Sequence, residues 1–215
     1  MDPLRVAIAL GPLGLYFLLL GAVNLSRRPW LTTGARDTAA LALGISGLML
    51  VGPLELLMPP MLRAHPLWGW LVWIGFYAIL ITGWAVLQLP RLTIYNLPVD
   101  DLAPILSAVA HDLDPDARWA GDSLLLPALG VHLHVEYFGS LRNTSLVSTG
   151  ERQSLRGWSE LEQSLSKALA GRRAPLNPLG VPLMIVAVAM AAVVTWTWLD
   201  DPQAVTRAFR ELLNL

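Results

Sequence analysis

Four apolar runs, approximately Val6 to Leu25, Thr38 to Met58, Leu67 to Leu89 and Leu179 to Leu199, leave this chain few ways to fold. Each is close to the ~20 helical residues that cross the ~30 Å hydrocarbon core of a bilayer. The core helices of a water-soluble protein rarely run so far without a charge. Covering four of them would take a larger polar shell than 215 residues with 14% charged side chains can supply. The mean hydropathy of +0.53 fits the same conclusion. The expected fold is a multi-pass α-helical membrane protein with four transmembrane helices in residues 1–90 and 174–200. Its first partner is the lipid bilayer.

The first run carries only Arg5 ahead of it, and Arg27 and Arg28 follow it without a small-residue cleavage pattern. It therefore reads as a retained span and not a removed signal. Flanking arginines set the orientation. On one side lie Arg27, Arg28, Arg36, Arg91, Arg172 and Arg173; on the other lie Arg5, Arg63, Arg207 and Arg210, the last two among Asp200, Asp201 and Glu211. The asymmetry places both termini outside and the long connection in the cytoplasm, in the cell membrane. Trp68, Trp70, Trp73, Trp196 and Trp198 then share one membrane face, as an interfacial belt does. Ala40 with Gly44, Ala42 with Ser46, and Ala187 with Ala191 are small residues four apart, a spacing that lets helix backbones approach.

Residues 91–173 have a different pattern and predict a small α+β domain inserted between the third and fourth helices. LTIYN is a β-branched strand. Asp101 is expected to cap a helix carrying the stripe Leu102, Ile105, Leu106, Val109 and Leu113. Strand-like pieces follow at Arg118 and at Leu124 to Leu126. A hairpin closed by a two-residue turn at Gly139-Ser140 would set Glu136 opposite Asn143, His134 opposite Ser145 and His132 opposite Val147. A closing helix is expected with Ser159 and Glu162 as its capping box and Gly171 as its end. Residues 201–215 are expected to form an amphipathic C-terminal tail on the membrane surface.

Three groups could carry chemistry. His132 and His134 are two apart on one strand face, and a His-x-His pair can share a metal ion. Glu136 is ~13 Å along the strand from His132, too far to complete the set, and the partner strand offers no carboxylate. Glu55 is the only acidic residue within a predicted span, a position that makes it a suspect for proton or ion movement. Counted along its helix, it falls near the outer interface. DLDPD at Asp112 to Asp116 begins like a calcium loop, but the sixth and twelfth positions hold Ala117 and Ser123 where Gly and Glu are needed. It reads as a helix end and a proline turn.

No glycine-rich phosphate loop, nucleophile elbow or HExxH pattern occurs, so no cofactor is expected. A net charge of −1 gives no footing for nucleic acid. With no cysteine, thiolate metal sites and disulfides are excluded. Fourteen arginines against one lysine point to a GC-rich bacterial genome. The expected role is a non-enzymatic interaction or regulatory module, or a complex subunit, with protein partners or a homo-oligomer. The alternatives are a transporter or channel component using Glu55 and a metal-dependent enzyme using His132 and His134.

Overall fold

The computed structural model describes residues 3–57, 59, 66–139, 142–150, 153–203 and 206–207. The chain divides into two compact units, one of Met1–Gly21, Thr38–Val86 and Val181–Leu215, the other of Ala22–Asp37 and Leu87–Gly180.

Among the described residues four helices are long and apolar enough to cross a membrane: α1 (Pro3–Leu25), α2 (Gly34–Leu57), α3 (Pro66–Leu87) and α6 (Gly180–Asp200). Many of their large apolar side chains are exposed, among them Leu15, Leu43, Ile79 and Ile185. The most apolar stretch of α3 has no buried residue at all. The helix α2 is regular to Met49, widens into a π-helical turn at Leu50–Leu54 and resumes at Glu55–Leu57. Pro53 lies inside the wide turn, where its missing N–H and its ring forbid the ordinary i to i−4 bond.

Helix approach within this unit depends on small residues. A Cβ added to Gly44 would lie 2.8 Å from Tyr16 Cβ, and one added to Gly47 would overlap the Ile8 carbonyl oxygen. Gly44 belongs to one of the expected pairs; Gly47 does not. Ala42 and Ala187 are buried, and the Ala42 carbonyl accepts the Tyr77 hydroxyl at 2.6 Å.

The second unit is built on a six-stranded sheet. In chain order the strands are β1 (Trp30–Thr33), β2 (Arg91–Tyr95), β3 (Arg118–Ala120), β4 (Ser123–Leu126), β5 (Val131–Phe138) and β6 (Asn143–Ser148). In space they run β1-β2-β6-β5-β4-β3, every pair antiparallel. Helices α4 (Val99–Leu113) and α5 (Leu155–Leu169) cover one face. Ile94, Leu124, Val131, Leu133 and Leu146 from the strands meet Leu102, Leu106, Leu161 and Leu165 from the helices in a continuous core. Side chains alternate across a strand, so the next residues along each strand occupy the opposite face. Strand β1 comes from the connection between α1 and α2, outside the stretch 91–173. Its four residues are flanked by Arg and Pro and carry no periodic signal of their own.

Three local expectations need correction. The hairpin register is two residues from the expected one: Phe138 pairs with Asn143, Glu136 with Ser145, and His134 with Val147. The strands are joined by residues 139–142, and the Arg142 N–H bonds to the Gly139 carbonyl at 3.3 Å; Ser140 of the expected turn lies outside the described residues. A shift of two leaves every side chain on its original face. The cap of α5 is Ser154, whose side chain accepts the Gly157 N–H at 3.1 Å, one turn before Ser159. Glu162 instead faces Arg36 at 3.2 Å. Likewise α4 starts at Val99 behind Pro98, so Asp100 and Asp101 fall in its first turn, where carboxylates favour the positive helix end. Gly171 does follow the end of α5, at φ +79, a conformation open to glycine at little cost. Most of the expected tail, residues 204, 205 and 208–215, lies outside the described residues.

Candidate functional site

The sheet face opposite the helices carries the sequence-predicted residues. One cross-strand row reads Arg91, Val147, His134, Ser123, Ala120; the next reads Thr32, Thr93, Ser145, Glu136. His132 lies across from Leu125 on the same face. Over β3, β4 and β5 this face is open: Leu125, Glu136 and Phe138 are exposed, and His132 and His134 are half-buried. Over β1, β2 and β6 it is closed, with Thr32, Thr93 and Ser145 buried.

Three side-chain systems fix this face. His134 Nδ1 is 3.2 Å from Ser123 Oγ, and that hydroxyl is the imidazole's one polar partner among the described residues. Gln153 holds the His132 backbone as a short strand would. Its Nε2 donates to the His132 carbonyl at 2.9 Å and its Oε1 accepts the His132 N–H at 3.3 Å. The same Oε1 accepts the Trp158 indole N–H at 2.9 Å, tying the strand to α5. On the closed half, Asp37 in the first turn of α2 accepts the Tyr95 hydroxyl at 2.6 Å and faces Arg91 at 3.5 Å.

Chemically, His132 and His134 offer two nitrogens on one strand face. No group of three or more His, Asp or Glu side chains comes together for a metal ion among the described residues. Among the described residues the Ser123–His134 pair has no carboxylate orienting the far side of the ring, which a serine nucleophile of the triad kind requires. His111 is exposed on α4, and His65 lies outside the described residues.

Glu55 follows the π-helical turn and meets Arg5 of α1, Oε1 to Nη2, at 2.7 Å. Asp114, from the DLDPD run, is fully buried and does a structural job. Its Oδ1 accepts the Asp116 N–H at 3.0 Å and its Oδ2 the Ala128 N–H at 2.7 Å, so the end of α4 is pinned to the β4–β5 connection.

Sequence reasoning missed a second polar cluster. Asn24 near the end of α1 and Asn177 ahead of α6 are both buried, and Asn177 Nδ2 donates to Asn24 Oδ1 at 2.8 Å. The Asn177 N–H bonds to the Asn24 carbonyl at 3.1 Å, and the Ala174 N–H to the Arg27 carbonyl at 2.9 Å. Asn96, in the left-handed region at φ 62, donates to the Ser26 carbonyl. The available signal was an Asn at the edge of each of two spans, which is weak without knowing that the two edges meet. No family model, curated protein or solved structure matches the chain.

Proposed function

We propose that this chain is a four-span membrane protein whose α+β domain is a non-enzymatic interaction module, holding a protein partner or a second copy on the cytoplasmic side. The observation that carries it is the contrast between the two faces of the sheet. One is filled by α4 and α5; the other presents His132, His134, Glu136, Leu125 and Phe138 without a converging reactive set among the described residues. Mixed polar and aromatic side chains on a rigid sheet suit recognition.

Membrane insertion is supported by chain connectivity. Strand β1 lies between α1 and α2, strand β2 follows α3, and the two pair with each other. Two crossings, by α2 and α3, return the chain to the side it left, as one sheet requires. The arginine asymmetry supports a cytoplasmic location for that side. The Arg5–Glu55 ion pair gives Glu55 a neighbour of opposite charge, which suits a helix contact better than a free carboxylate on a transport path.

A photo-crosslinking amino acid tests the module directly. Placed at Glu136 on the open face, it should yield a discrete crosslinked species in native membranes. Placed at Gln163, exposed on α5, it should not. Equal results at the two positions would remove the open face from the interaction.

A further inference from the structure

Within the sheet-bearing unit lies a cavity of about 810 Å³ whose lining includes Arg27, Arg28, Trp30, Leu169, Arg172 and Arg173. Two arginine pairs, about 145 residues apart in sequence, are brought together there by the backbone: the Ala174 N–H bonds to the Arg27 carbonyl at 2.9 Å, while a local turn from the Arg172 N–H to the Leu169 carbonyl at 3.1 Å shapes the second pair. All four arginines are exposed, and none has an acidic partner among the described residues. Five other arginines have acidic partners, Arg5 with Glu55, Arg36 with Glu162, Arg91 with Asp37, Arg156 with Glu160 and Arg207 with Asp201, whereas Arg118 and Arg142 have none among the described residues. What sets the cavity arginines apart is that four of them line one cavity, a concentration of positive charge that an anion would offset. Guanidinium forks match the oxygens of a phosphate group in particular.

Chain connectivity places the cavity at the bilayer. Arg27 and Arg28 follow Leu25, the last residue of α1, by two and three positions, a reach of at most ~11 Å. Arg173 precedes α6 by seven residues. Trp30, a lining residue 59% exposed, is the kind of amphipathic side chain that favours headgroup depth. Leu169 supplies an apolar wall. Charge, aromatic rim and apolar wall together are the chemistry of a lipid headgroup with the start of its acyl chains.

We propose that this cavity binds the phosphate of an anionic phospholipid headgroup, with Arg27, Arg28, Arg172 and Arg173 as its ligands. The assignment rests on membrane insertion, which is read separately by whether alkaline carbonate leaves the chain in the membrane pellet.

The test uses purified full-length protein in neutral detergent, titrated with phosphatidylglycerol, phosphatidylcholine or inorganic phosphate and followed by native mass spectrometry. Phosphatidylglycerol should be retained at well below the phosphatidylcholine concentration. Arg172→Gln with Arg173→Gln should weaken that retention by roughly tenfold to thirtyfold, given the contribution of each basic side chain near an anionic surface. Arg172→Lys with Arg173→Lys, which keeps the charge, should stay within a few-fold of the parent. Arg118→Gln, an exposed arginine on β3, should match the parent. Because the 172/173 pair could disturb folding, Arg27→Gln alone gives a second reading in the same direction. Equal retention by parent and Gln variants, or no preference over phosphatidylcholine, would overturn the assignment. Displacement of the lipid by millimolar inorganic phosphate would also overturn it, and would reassign the cavity to a soluble phosphate.

Discussion

In the sheet domain Leu124, Leu133, Leu146, Leu161 and Leu165 have no exposed surface, whereas along α3 Ile79, Val86 and Leu87 keep more than seven-tenths of theirs. The same residue types are therefore used in opposite directions. The domain hides them from water behind two helices and a sheet, each burial contributing about 1.5–3 kcal/mol. The long helices turn them outward, which is stable only where the surroundings are as apolar as the side chains. Their mutual packing depends instead on close backbone approach at Gly44 and Gly47 and on a few polar links such as Tyr77 to Ala42. Under the proposed membrane insertion one chain spans two solvent regimes, and substitutions should report which regime each residue occupies.

The largest effect is expected in the domain core. Leu146→Ala removes a fully buried side chain between the sheet and its helices and should cost about 3–5 kcal/mol. Hydrogen exchange of β5 and β6 in the full-length protein would read it as lost protection. Ile79→Ala, the same kind of deletion on the exposed face of α3, should leave the domain's exchange unchanged. Equal losses would abolish the distinction between the two regimes.

Next comes the helix crossing. Gly47→Leu places a side chain where the Ile8 carbonyl oxygen sits. Overpacking costs about 1–3 kcal/mol and more when backbone must move. The expected outcome is a lower melting temperature in detergent, while Gly75→Leu, on a helix face with open space, stays near the parent.

Asp114→Ala should follow closely, because it takes from the Asp116 and Ala128 N–H groups the carboxylate of a fully buried residue that both of them bond. About 1–3 kcal/mol is expected for such loss, seen as faster exchange at the β4–β5 connection. Calcium addition should not restore the parent behaviour in any variant of this residue.

The smallest effect belongs to the Arg5–Glu55 pair. Its arginine side chain is 58% exposed, and exposed ion pairs contribute about 0–1 kcal/mol. Glu55→Gln should shift the melting temperature by no more than a degree or two. A much larger shift would mean that this carboxylate works in an environment far drier than its exposure indicates.

How much of this was legible in the sequence follows from the range of each interaction. The four long helices and the order of strands and helices in 91–173 are set by local periodicity, and they could be read directly. The in/out assignment of His132, His134 and Glu136 survived a wrong hairpin register because strand alternation has period two and the register error was also two. Helix caps moved by a turn because Ser154, Ser159, Pro98 and Asp101 are all plausible starts and only packing chooses among them. Long-range features were invisible. Strand β1, the Asn24–Asn177 pair and the convergence of Arg27, Arg28, Arg172 and Arg173 each join segments that no local pattern connects.

Two separated segments, one between α1 and α2 and one between α3 and α6, form a single sheet, and the central proposal is that this sheet lies on the cytoplasmic side of a four-span protein. The absence of native cysteine makes it directly testable. Single cysteines are introduced at Trp30 in β1, at Asp122 in the β3–β4 turn and at Ala64 in the connection between the second and third spans. Intact cells are then treated with a membrane-impermeant maleimide. Ala64→Cys should label at once, while Trp30→Cys and Asp122→Cys should both react only after the membrane is opened. Labelling of Trp30→Cys and Asp122→Cys on opposite sides, or of Asp122→Cys in intact cells, would contradict it.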